Sequence, residues 1–80
     1  MMIPVMKTVS YEVENGQLEL RKVDSVDTWG IPCVSIEVYY HNPSYKNSPI
    51  KCPQSFSSEF STDEIVNSSE IVRFLSPFNE

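Results

Sequence analysis

The sequence predicts an α+β fold, a small antiparallel sheet of three to four strands with one C-terminal helix packed on it. Three observations carry this. Asn15-Gly16 separates two alternating runs across residues 9–23. A second alternating run fills residues 33–41. A capping-box pattern at Ser61 opens a stretch with helical apolar spacing.

The first element is VSYEVENGQLELRKV. Asn-Gly favours a tight hairpin turn because both residues tolerate positive φ. Centring the turn on that pair sets Val13 opposite Leu18 and Tyr11 opposite Leu20. These four share one face with Val9, while Ser10, Glu12, Glu19 and Arg21 take the other. In this register Glu12 faces Glu19, with Arg21 near enough to offset their repulsion. A slip of one residue would expose the whole apolar set.

Residues 24–32, DSVDTWGIP, read as a turn-rich connection. Trp29, the sole tryptophan, is expected to anchor the core at one end of the sheet, because so large an apolar ring matters in so small a core. CVSIEVYYH, residues 33–41, alternates again and forms the third strand. Val34, Ile36, Val38 and Tyr40 make its core face; Cys33, Ser35, Glu37, Tyr39 and His41 make the other. A loop rich in proline and asparagine follows. PIKCP then offers a short fourth strand that its flanking prolines confine to an edge. Phe56 and Phe60 are expected to pin the next segment to the core.

In the last segment, Ser61 and Glu64 have capping-box spacing and acids occupy the first turn. Ile65, Ser68, Ile71, Val72 and Leu75 fall within an arc of roughly 120°, which predicts a helix over residues 62–75. Val66 and Phe74 fall on another side, near Glu70. The tripeptide Glu-Ile-Val recurs at 64–66 and 70–72, a spacing of six that fits no helical face. A short helix followed by a strand, EIVRFL, is the competing pattern.

Eighty residues make a single domain, 1–80, that buries only about 60% of the surface its unfolded chain exposes. Little volume is left for a deep substrate pocket. Self-association into a homo-oligomer, or a standing partner, would add buried area. The net charge is −5. Residues 1–58 carry six acids against five bases, and residues 59–80 carry five acids against Arg73 alone. This balance disfavours direct nucleic-acid binding, which needs clustered Lys and Arg. The opening residues lack the features of a signal peptide, and no run approaches a membrane span, so a cytoplasmic protein with no membrane partner is expected. Cys33 and Cys52 are expected as free thiols, because opposing them would place Pro43 in a tight hairpin turn that its fixed φ resists.

The motifs for chemistry are missing. Cys33 and His41 share a strand face but stand about 26 Å apart along it, too far to share an ion, and no metal is expected. Only two glycines exist, each explained by a turn, so there is no phosphate cradle. His41 is the only histidine and has no nucleophile at a known spacing. The sequence therefore predicts no enzyme, no catalytic residue and no cofactor.

It predicts instead a protein-binding regulator, inhibitor or accessory subunit acting by surface occlusion or scaffolding. By analogy of class alone, viral or mobile-element inhibitors of host defence have this character. The contact candidates are Tyr39, His41, Tyr45 and Lys46, in a segment where prolines lower the ordering cost and tyrosine offers a rigid amphipathic surface. A second set is Val66, Glu70 and Phe74 on the helix side facing away from the sheet. The alternative is an acidic nucleic-acid mimic that uses Asp63, Glu64 and Glu70 to occupy a nucleic-acid channel on another protein.

Overall fold

The computed structural model describes residues 8–13 and 15–78. Three long strands dominate it: β1 (Thr8–Val13), β2 (Gly16–Val26) and β3 (Pro32–His41). All pair antiparallel in the order β1-β2-β3. Two short strands, β4 (Ile50–Lys51) and β5 (Phe56–Ser57), share the remaining edge of β3. Helices α1 (Thr62–Val66) and α2 (Ser69–Leu75) follow, then a 3-10 turn over Ser76–Phe78. The α+β fold expected from the sequence is the one observed, with one more short strand and a divided helix.

Alternation decides the faces. Leu18 and Leu20 of β2 pair with Tyr40 and Val38 of β3, and all four are buried on the inner face with Ile36. Ile65, Val66 and Ile71 of the helices close over them, joined by Cys52. Val9 and Tyr11 lie on that side but remain 44% and 37% exposed, because β1 is the sheet's outer edge and burial falls on the central strands.

The β1–β2 register differs by two residues from the sequence reading. Tyr11 opposes Leu18, Val13 opposes Gly16, and Glu12 opposes Gln17 rather than Glu19. A shift of two preserves every face, so the apolar set is unchanged while the expected carboxylate pair is removed. Gly16 belongs to β2 itself. A Cβ there would overlap the backbone carbonyl oxygen of His41 and lie 3.1 Å from the Tyr40 ring, so the close approach of these strands requires glycine.

The C-terminal helix divides at Asn67–Ser68. Ser61 caps α1 with the expected box: its hydroxyl accepts from Glu64 N, and the Glu64 carboxylate accepts from Ser61 N. Ser68 then caps α2 by accepting from Ile71 N. The break resets the phase, so both Glu-Ile-Val copies direct their isoleucine inward. Val66 is consequently buried, and Val72, expected in the core arc, is 60% exposed. The competing strand over EIVRFL does not form.

Two further expectations change. Residues 24–26 and 32 extend the β2–β3 ladder instead of forming a loop. Trp29 is 82% exposed at the tip of that ladder, not a core anchor. Phe56 packs on the core, whereas Phe60 is 48% exposed. Cys33 and Cys52 are free, as expected.

Candidate functional site

On the outer face of the sheet, the alternation that sends Leu18, Leu20, Val38 and Tyr40 inward sends Glu19, Arg21, Glu37, Tyr39 and His41 outward. Arg21 donates to Glu19 at 2.8 Å, and His41 Nε2 meets the same carboxylate oxygen at 2.9 Å. Lys51 stands 3.0 Å from Glu37, and the Tyr39 hydroxyl donates to Glu37 at 2.9 Å. The Arg21 guanidinium lies 4.1 Å from the Tyr39 ring centroid, joining the two halves into one network.

The electrostatics follow from these contacts. The Arg21 hydrogen bond, reinforced by His41, holds the Glu19 carboxyl below its ordinary value. Lys51, followed by Tyr39, does the same for Glu37. The Lys51 ammonium is correspondingly raised by Glu37. Both carboxylates are thereby kept ionised, the opposite of the raised pKa that acid catalysis near neutral pH employs. Tyr39 has its ring face and its hydroxyl both engaged within the chain.

The loop after β3 is organised by Asn42, 6% exposed. Its side-chain amide donates to the Tyr40 hydroxyl at 2.9 Å, its side-chain oxygen accepts from Ser44 N, and its own N–H donates to Ser48 Oγ. The Ser48–Pro49 peptide bond is cis. Tyr45 sits on this loop, 38% exposed, with its ring edge-on to Phe78 at 5.0 Å. Lys46 is exposed beside it. The loop and the outer-face network together hold Tyr39, His41, Tyr45 and Lys46, but the structure assigns intramolecular contacts to three of the four.

The helix candidates separate. Val66 is buried and does not share an outward surface with exposed Glu70 and half-buried Phe74. Of the acids, Glu64 is tied into the α1 cap and Glu70 accepts from Ser69 Oγ at 2.7 Å; those hydrogen bonds lower both carboxyl pKa values. Asp63 is exposed.

The feature that sequence reasoning missed is the end of the β2–β3 ladder. Val26 is 63% exposed, Ile31 58% and Val34 41%, with Trp29 at the apex. The loop at the tip is ordered by its own chain. Asp27 Oδ1 accepts from both Trp29 N and Ile31 N at 2.9 Å, and Asp27 N donates to the Ile31 carbonyl. Gly30 adopts φ 79°, the left-handed conformation that closes such a turn. The sequence signal was present in Asp-Thr-Trp-Gly, a turn with an aspartate able to hold its own backbone. Among the described residues, no helix is long and apolar enough to cross a membrane. No family model matches this chain, and comparison with curated proteins and with solved structures likewise gives no match.

Proposed function

We propose that this is a non-enzymatic protein-binding protein, a small regulator, inhibitor or accessory subunit, whose contact element is the β2–β3 arm. The observation that carries the reading is the tip: an ordered turn presenting Trp29, 82% exposed, among exposed Val26, Ile31 and Val34. Exposing an indole at this level forgoes apolar burial that a small domain could use for stability. Tryptophan is also the side chain most enriched among residues that dominate interface energies. The turn's hydrogen bonds restrict the loop before binding, which lowers the ordering cost of association.

The mechanism is insertion of a rigid apolar tip into a partner's surface, occluding it or fastening the two proteins together. Tyr45 and Lys46 are exposed on the loop after β3, at the opposite end of the sheet from the tip, and form a separate candidate surface. The mimic reading ranks lower because Glu64 and Glu70 serve the helix starts, leaving Asp63 as the least engaged of its three acids. The test compares the tagged wild-type chain with Trp29→Ser and with Tyr45→Ser as bait in extract of the native host. Loss of the co-eluting protein with Trp29→Ser, at unchanged circular dichroism, is expected. Capture that survives Trp29→Ser but is lost with neutralised Asp63, Glu64 and Glu70 would reverse the ranking.

A further inference from the structure

Three chain reversals meet at the end of the sheet opposite Trp29: the β1–β2 turn at Asn15, the 42–48 loop, and the 3-10 turn Ser76–Phe78. One residue joins them. The half-buried Phe78 ring packs 4.7 Å from the Tyr40 ring and 5.0 Å, edge-on, from the Tyr45 ring. Phe74 of α2 stands edge-on to it at 6.0 Å. The Asn15 side-chain amide donates to the Phe78 carbonyl at 3.0 Å.

The two tyrosines that Phe78 touches are the two fixings of the loop. Tyr40 holds its start, where the hydroxyl accepts from the buried Asn42 amide. Tyr45 lies at its middle. There Tyr45 N donates to the Asn42 carbonyl, and Ser48 N donates to the Tyr45 carbonyl. Residues 43–47 are all exposed, so burial of their own side chains does little to fix their position. The Phe78 ring packs on both fixings at once, with a geometry favourable to paired aromatic rings.

We propose that the Ser76–Phe78 turn is a clasp for this loop. Seated, it holds Tyr45 and the 42–48 backbone in the shape described. Released, it frees the loop with Tyr45 and Lys46 while the sheet, the two helices and the Trp29 tip stay folded. The clasp and loop thus open as one local unit, separate from global unfolding. This goes beyond the reading of the tip as a contact element and does not depend on it. Its consequence is that the Tyr45–Lys46 surface has two states. A partner that reads the ordered loop binds only the seated fraction, and its apparent affinity falls with that fraction. The coupling is reciprocal: Phe78 orders Tyr45 as strongly as Tyr45 seats Phe78.

The test is amide hydrogen exchange read residue by residue by NMR, on the whole chain. In Phe78→Ala, the amides of Asn42, Tyr45 and Ser48 should exchange roughly tenfold faster, the change in opening equilibrium that losing such ring contacts brings. The Gly30 amide, which donates to the Asp27 carbonyl at the tip, should keep its wild-type rate, as should the β2–β3 ladder. Phe78→Leu, which keeps apolar bulk without the ring, should fall between the two. Ile71→Val trims a fully buried helix residue and is the control for general destabilisation; it should not single out the loop. In Tyr45→Ala, the Phe78 ring resonances should move towards their unfolded positions. Unchanged loop exchange in Phe78→Ala overturns the clasp. Equal acceleration of loop, tip and ladder overturns it as well, because the loop would then open only with the whole fold. A Phe78 ring indifferent to Tyr45→Ala would break the reciprocity and refute the coupling.

Discussion

Replacing Tyr40 by phenylalanine removes one oxygen and isolates a single interaction. Tyr40 is 1% exposed, and its ring packs 4.7 Å from that of Phe78. Phenylalanine keeps those ring contacts. The lost oxygen is the acceptor for the Asn42 side-chain amide, and Asn42 is itself 6% exposed. A buried N–H left unpaired costs about 1–3 kcal/mol. Against the ~3–5 kcal/mol that one small core supplies, this is a large fraction. With a urea m-value near 1 kcal/mol/M for so short a chain, the unfolding midpoint should fall by about 1–3 M at unchanged m. Asn42→Ala removes the donor and also the contact to Ser44 N. The double variant should therefore be less destabilised than the two single losses added together. A Tyr40→Phe protein with the wild-type midpoint would show that this buried pair does not tie the 42–48 loop to the sheet.

Two other perturbations probe the sheet. Gly16→Ala forces a Cβ against the His41 carbonyl, so β2 and β3 must part locally; a loss of about 1–3 kcal/mol is expected by urea unfolding, and an unchanged midpoint would show that the strands approach less closely than described. The outer-face carboxylates set an acid limb. Glu19 and Glu37 have folded pKa values below the ordinary glutamate value, so their contribution is fully present above about pH 4.3 and is lost as the pH falls through the lower folded values. Stability measured from neutral pH downward should therefore hold level until that region and then decline, with a shallower decline in Glu19→Gln and Glu37→Gln; an identical acid slope in those variants would contradict the network.

Much of this fold is legible in the sequence because strand alternation preserves its faces under any register shift of an even number of residues. A turn placed one residue too late shifts the register by two and still sends Leu18, Leu20 and Tyr11 to one side and Glu19 and Arg21 to the other. The helix was less forgiving. A second serine cap at Ser68 interrupts the 3.6-residue period, and one continuous helix then misplaces Val66 and Val72. The recurrence of Glu-Ile-Val at a spacing of six was the visible trace of that reset. The size of Trp29 argues for the core only where a second layer is present to cover the ring. Where the layer ends depends on how far two short helices reach, and no local pattern encodes that. Tyr39 and His41 were correctly sent to the outer face, but their partners come from Arg21, Glu19 and Glu37 across β2 and β3, which only the register reveals.

In the single chain the tip of the β2–β3 arm stands in solvent. Trp29 is the only tryptophan, so its emission reports that position without ambiguity. At dilutions where sedimentation gives one chain, the native protein should emit as far to the red as a free indole derivative in water and be quenched by acrylamide nearly as readily. A blue-shifted, quencher-shielded tryptophan in that same single-chain state would place the ring in the interior and remove the arm as a contact element.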